Sequence, residues 1–142
     1  MPPGELFDDE PEGTREAIMQ ATYRALLDHG YAGLTIQKIG DEFPKSKSLL
    51  YHHYDGKDEL LVDFLESMLD RMETDLPAEP TGDAYEQLLD LLDHVIPPTG
   101  DAERRSFTAA LIELRGQAAH NPAFRDHFTR SDRFFQDRLT DI

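Results

Sequence analysis

The chain has 142 residues, of which 39% are hydrophobic, and this suits one domain or a small head on a modest helical body. It has no cysteine, which excludes disulfides and thiolate metal sites. No apolar run reaches the about 18 residues of a membrane span, and the acidic N-terminus lacks the basic and apolar regions of a signal peptide. These features predict a cytoplasmic protein that does not enter a membrane.

The formal net charge is −15 and is unevenly distributed. Residues 14–57 hold all four lysines and have a net charge of +1, whereas residues 1–13 carry −5 and residues 58–142 carry −11. An acidic, lysine-poor surface suits molar salt, in which the Debye length falls to about 3 Å and self-repulsion is screened. We therefore favour a halophilic source over an ordinary acidic cytosolic protein.

The first elements are an arm and a helix. Residues 1–13, with three prolines, two glycines and five acids, predict a disordered acidic arm. Thr14 is predicted to cap helix one, and Gly30 to end it after His29. The inner face of this helix is predicted to carry Ala17, Ile18, Ala21 and Ala25.

The next stretch, residues 35–61, predicts two short helices around a tight corner and the start of a longer third one. Thr35 can cap the first short helix, and Pro44 ends it because a ring nitrogen cannot donate a hydrogen bond. Ser46 can cap the second. The predicted buried positions are Ile36, Ile39, Phe43, Leu50 and Tyr54. This pattern is typical of a helix-turn-helix that reads DNA.

The rest of the chain predicts four amphipathic helices. Helix four runs from Lys57 to about Asp75, residues 77–82 form a linker, and helix five spans about residues 84–96 before Pro97-Pro98. Helix six begins after Asp101, and helix seven begins at Pro122. Helix five is predicted to turn Tyr85, Leu88, Leu92 and Val95 inward. No strand pattern occurs, so the predicted fold class is all-α.

The stretch 35–61 resembles the N-terminal signature of the tetracycline-repressor-like (TetR) regulators, and the resemblance covers about residues 14–70. It rests on Leu50-Tyr51, His53-Tyr54 and the run from Lys57 to Leu61, which align without a gap. Departures from the family pattern are Pro44 and Lys45 at the corner, Gly40 for an alanine, Ser48 for a glycine and Leu49 for a threonine. They leave the turn geometry and the sequence preference open.

The resemblance implies a three-helix DNA-binding head over residues 14–56 and a helical effector-binding and dimerisation bundle over residues 57–142. TetR-like proteins usually continue with two more helices that form the dimer seam. The pattern therefore predicts either a bundle that is incomplete after Ile142 or a short member of the family.

Ten positions are candidate DNA contacts. Side chains that open the recognition helix can reach base edges, where lysine bonds guanine and an apolar group meets a thymine methyl. The resemblance implies phosphate contacts for Tyr51 and Lys57. The plain alternatives are capping, half-buried packing and a solvated helix start. The candidates are Thr35, Lys38, Lys45, Ser46, Lys47, Ser48, Leu49, Tyr51, His52 and Lys57.

Six apolar positions are candidates for an effector cavity among helices four to seven, although such a stripe is more often core. They are Met68, Met72, Phe107, Leu111, Phe124 and Phe128. The spacing of His120, Asp126 and His127 is not diagnostic of a metal site. No nucleophile–base pair or phosphate-binding glycine loop is present, so we expect no enzymatic activity, cofactor or metal.

These observations favour a ligand-responsive DNA-binding regulator. The family resemblance implies a repressor that binds a palindromic operator in double-stranded DNA as a homodimer and releases it on binding an apolar or amphipathic small molecule. The alternative is a helical protein-interaction module that has lost specific DNA binding. The acidic surface and the altered corner motivate this alternative, but the clustering of all four lysines on one motif argues against it.

Overall fold

A computed structural model describes residues 13–76, 81–95 and 101–142, and within these ranges every regular element is a helix. None of these helices combines the length and apolar character needed to cross a bilayer. The arm predicted for residues 1–13, apart from Gly13, and the prolines of the linker and of residues 97–98 lie outside the described residues. The helices are α1 (Thr14–Gly33), α2 (Ile36–Glu42), α3 (Lys47–His53), α4 (Lys57–Asp75), α5 (Ala84–Val95), α6 (Ala102–Gly116) and α7 (Pro122–Asp141).

Most predicted helix starts are confirmed by side-chain caps. The Thr35 hydroxyl accepts a hydrogen bond from the Lys38 N–H at 3.1 Å, Ser46 accepts from Ser48 at 3.3 Å, and Asp101 accepts from Arg104 at 3.0 Å. The cap predicted at Thr14 is wrong. Gly13 is the N-cap, and the Thr14 hydroxyl instead accepts a hydrogen bond from Lys45 Nζ at 2.9 Å.

Helix α1 has the predicted break at Gly30 but continues beyond it to Gly33. Gly30 adopts φ 66° and ψ 178°, a conformation that is essentially reserved for glycine. Just after the break, the backbone N–H of Tyr31 donates to Glu113 Oε2 of α6 at 3.2 Å. The carboxylate thus compensates for a helical hydrogen bond lost at the break and ties the end of α1 to the body.

One apolar core extends through the head and the body. Ile18, Ile39 and Leu50 of the first three helices are fully buried, as are Phe64 of α4 and Phe124 of α7. The Phe107 ring of α6 lies edge-on to Tyr23 at 5.0 Å and to Phe64 at 6.2 Å between centroids. Because this core crosses α4, the division at residue 57 stays a prediction.

Helix α5 contradicts one prediction of burial. Its expected inward residues Tyr85, Leu88, Leu92 and Val95 are exposed, and Leu91 is the residue that it buries. The periodicity correctly indicated an amphipathic helix. Periodicity alone, however, does not identify the neighbour that covers an apolar face, and in the described part of the chain this face is largely uncovered.

Candidate nucleic-acid interface

Helix α3 presents one side to solvent and packs the other against the head. Leu50 is fully buried and Tyr54 nearly so, because they follow one another on the inner side at i and i+4. Lys47, Ser48 and His52 are exposed, and Tyr51 leaves 57% of its surface accessible. Leu49 is half-buried against the core. The structure therefore brings Lys47, Ser48 and His52 onto one accessible helix face, whereas Leu49 lies beside this face.

The lysines around this face differ in how firmly they are held. Lys47 Nζ pairs with Asp41 at 2.5 Å, but both side chains are largely exposed, so the pair is worth at most about 1 kcal/mol. Lys45 donates to Thr14, and Lys38 donates to the Gly33 carbonyl at 2.6 Å. A phosphate could readily replace Asp41 or Thr14 as the lysine partner, since neither contact is deeply buried.

Gly40, an alanine in the family pattern, makes room for Lys47. A Cβ built on Gly40 would lie 2.9 Å from Lys47 Cγ and 3.1 Å from Cδ. The aliphatic stem of Lys47 therefore lies directly over the backbone of α2. The departure noted in the sequence thus sets the path of a candidate base-reading side chain.

Lys57 has a bracing contact that the sequence did not indicate. Its ammonium donates to the carbonyls of Tyr31 at 3.1 Å and Leu34 at 3.2 Å, and lies 4.2 Å from the centroid of the Tyr31 ring. The Tyr31 hydroxyl in turn donates to Asp58 at 3.0 Å, and burial together with this bond raises the pKa of Tyr31 to about 12. An ammonium has three N–H donors, so one remains for a phosphate.

A second bracing point links α1, the end of α3 and α4. Asp63 accepts hydrogen bonds from the Arg15 guanidinium at 2.9 Å and from the Tyr54 hydroxyl at 2.5 Å. Burial would raise the pKa of the Asp63 carboxyl, but these two bonds outweigh it and lower the pKa. Helical spacing gave no sign of this group, because its members are far apart in sequence.

The predicted effector residues lie largely together. Five of the six, Met68, Met72, Phe107, Leu111 and Phe128, line one cavity of about 200 Å³ between α4, α6 and α7, which the end of α5 also borders. The sixth, Phe124, is fully buried in the core and does not line it.

Several polar residues that were not predicted also line this cavity, and two of them, Arg104 of α6 and His127 of α7, are buried and either permanently charged or ionisable in the physiological or acidic range. They are 9% and 4% exposed. Burial lowers the pKa of His127, the charge of Arg130 lowers it further, and Glu66 opposes the shift. The sequence could have indicated that both side chains are buried. Arg104 lies three residues before Phe107, and His127 lies three residues after Phe124, so each shares the apolar face of its helix.

Helix α4 physically connects the cavity to the head. Its first half carries Lys57 and Asp63, which hold the head, and its second half carries Met68 and Met72, which line the cavity. In addition, Glu66 of α4 pairs with Arg130 of α7 at 2.7 Å. A displacement of α4 would therefore alter both sites.

Comparisons with known proteins agree with this architecture. Residues 18–64 match the family described as "Bacterial regulatory proteins, tetR family". A crystal structure of a TetR transcription regulator from Haloarcula marismortui is similar, with a TM-score of 0.76 and 41% identity over 89% of this chain and 66% of that one. A putative TetR-family transcriptional regulator from Rhodococcus sp. has a TM-score of 0.67 and 26% identity, over 90% of this chain and 68% of that one.

Among sequence relatives, the HTH-type transcriptional repressor AcnR of Corynebacterium efficiens is 23% identical over 121 residues. The match covers 85% of this chain and 59% of that repressor, so the chain spans about three fifths of its relative. The family match covers the helices that form the exposed α3 face, and the similarity to the solved structures covers about nine tenths of the chain. This chain belongs to the TetR family.

Proposed function

We propose that the chain is a transcriptional repressor that binds a palindromic operator as a homodimer and releases it when a small molecule occupies the cavity. The observation that carries the proposal is the exposed face of α3, with Lys47, Ser48 and Tyr51 on a head braced by Lys57 and Asp63. In a dimer of this type, two such helices enter successive major grooves about 34–36 Å apart.

The candidate contacts divide by chemistry. Lys47, Ser48, Leu49 and His52 are proposed to face base edges, since they lie on or beside the exposed side of α3. The remaining candidates are proposed to hold phosphates, which position the head without reading sequence. These are Thr35, Lys38, Lys45, Ser46, Tyr51 and Lys57.

The acidic remainder of the chain predicts an unusual salt dependence. We propose a halophilic source, which the composition and the similarity to the Haloarcula marismortui structure support. Near molar KCl few counterions are released on binding, so the affinity for DNA should change little with salt. A steep loss of binding between low and moderate KCl would contradict this part of the proposal.

The direct test is capture of genomic fragments by the purified chain in molar KCl, followed by sequencing and a search for a shared palindrome. The double variant Lys47→Ala with Tyr51→Phe should weaken operator binding about tenfold or more. The exposed residue Arg133 of α7 provides a control, and Arg133→Ala should bind like the unaltered chain.

Three outcomes would contradict the proposal. Fragments without a shared site would contradict specific recognition, and unchanged binding by the double variant would remove the role assigned to α3. Recovery of no DNA would favour the alternative of a protein-interaction module.

A further inference from the structure

The cavity contains a buried cation, Arg104, that has no counter-ion among the residues that the structure describes. Arg104 is 9% exposed, and its guanidinium makes one hydrogen bond in the described residues, at 3.5 Å to the carbonyl of His94. No carboxylate of residues 13–76, 81–95 or 101–142 forms an ion pair with it. A buried guanidinium is ordinarily paired, because its five N–H donors and its charge are costly to desolvate. This position therefore suits a negatively charged ligand.

A second polar group of the cavity, the imidazole of His127, has a nitrogen without a partner in the described part of the chain. His127 is 4% exposed, and its Nδ1 is buried with no hydrogen bond. Glu66 and Arg130, whose charges act on His127, pair with each other, and neither bonds Nδ1. A buried ring nitrogen without a partner is uncommon in a folded protein, and it is explained where a bound molecule supplies the bond.

The size and lining of the cavity limit the rest of the ligand. The cavity measures about 200 Å³ and is walled mainly by methionine, leucine and phenylalanine. An apolar cavity of about 150 Å³ accommodates benzene, so the space here suits a body of roughly that size with one small polar group. A large amphiphile or a polyanion would not fit without opening the site.

We propose that the effector is a small organic monocarboxylate with an apolar body, its carboxylate paired with Arg104 and hydrogen-bonded by His127. This proposal rests on the proposed function, which assigns the effector to this cavity, and adds the chemical class. A planar carboxylate matches the fork of a guanidinium, and a neutral imidazole can donate one further bond. The apolar body would contact Met68 and Met72 of α4, the helix that holds the head.

Calorimetric titration of the full chain with phenylacetate and hexanoate, each against the amide of the same skeleton, tests this class. The acids should bind at least about tenfold more tightly than the amides, because only the acids neutralise Arg104. Arg104→Met should abolish this preference, and His127→Phe should weaken acid binding severalfold. The neighbouring exposed residue Arg105 is a matched control, and Arg105→Met should behave like the unaltered chain.

Equal binding of acid and amide would overturn the proposal, as would no binding of either acid at millimolar concentration. Binding of an inorganic anion only, seen as Arg104-dependent stabilisation by chloride without acid binding, would overturn it too. The acid–amide comparison on the unaltered chain remains decisive if a variant fails to fold. Operator capture without ligand reports separately on the regulator, so loss of DNA binding and loss of acid binding are distinguishable.

Discussion

The unpartnered imidazole in the cavity makes a quantitative prediction for His127→Leu. Leucine has a similar size and needs no hydrogen bond, so the substitution removes a buried unsatisfied atom whose cost is about 1–3 kcal/mol. Lost contacts of the ring with Phe128, 5.1 Å away between centroids, offset part of this gain. At about pH 8 we therefore expect the free energy of unfolding to stay constant or rise by about 1 kcal/mol.

The pH dependence of the free energy of unfolding should also differ between the unaltered chain and His127→Leu. The pKa of His127 is lowered in the folded state from an ordinary value of 6.5, so the unfolded chain takes up this proton first as pH falls. Stability contributed by the neutral imidazole is present above pH 6.5 and declines below it, until the folded pKa is reached. At about pH 5.5 the unaltered chain should lose up to about 1.4 kcal/mol that His127→Leu retains.

Urea unfolding at constant molar KCl between about pH 5.5 and pH 8 measures this difference. The exposed residue His120, on the turn before α7, is the control, and His120→Leu should keep the acid decline of the unaltered chain. An identical acid decline in His127→Leu would refute the reasoning. A loss of more than about 2 kcal/mol at pH 8 would contradict the expectation that removing Nδ1 relieves an unsatisfied group.

Three further tests, with Lys47→Met as a comparison in the first, concern the bracing of the head. Lys57→Met should lower the free energy of unfolding, measured by urea titration, by about 1–3 kcal/mol, because it removes two hydrogen bonds to backbone carbonyls. Lys47→Met removes only an exposed ion pair and should lower it by less than about 1 kcal/mol. Equal effects would contradict the distinction between a lysine that braces the head and one that is loosely held. Gly30→Ala should lower the free energy of unfolding by about 1–3 kcal/mol in the same assay, because φ at this position is 66° and disfavours a residue with a Cβ. An unchanged free energy of unfolding would mean that the backbone of α1 can relax around the alanine. Asp63→Asn should be destabilising at neutral pH. The difference should shrink as the pH falls below 3.8, the ordinary pKa of this carboxyl, towards its lowered folded pKa. A constant difference down to about pH 2 would exclude an ionic role.

Local signals in the sequence predicted most of the fold. The caps at Thr35, Ser46 and Asp101 and the break at Gly30 each depend on residues within one turn, so their spacing was sufficient. The prediction for Thr14 was wrong because its hydroxyl accepts a hydrogen bond from the distant Lys45 and not from the first turn of its own helix. Local patterns state what a side chain can do, and tertiary contacts decide between the options.

The candidate sites were predictable to the extent that they follow helical periodicity. Helical periodicity correctly predicted the exposed face of α3 and five of the six cavity residues. It wrongly assigned the sixth, Phe124, to the cavity, because this residue lies in the core. It missed Arg104 and His127, because their polar character was not weighed against their apolar helix positions. It could not find Asp63, whose partner Arg15 is 48 residues away.

The size of the cavity also constrains how a ligand could control the head. Moving a two-state equilibrium from 1:99 to 99:1 requires about 5.5 kcal/mol of difference in binding free energy between the states. A ligand of about ten non-hydrogen atoms gains between about 3 kcal/mol and, at the ceiling for very small ligands, 15 kcal/mol in total. The ligand can supply a difference of about 5.5 kcal/mol only if it binds well with α4 in one position and hardly at all with α4 in the other. An unpaired Arg104 suits such exclusivity, because a shift of α4 that let the acidic surface or water reach the guanidinium would remove the advantage of the carboxylate. Under the proposal of a carboxylate effector, the charge of Arg104 would then also make ligand binding depend on the position of α4. Through Lys57 and Asp63, it would make binding depend on the orientation of the head.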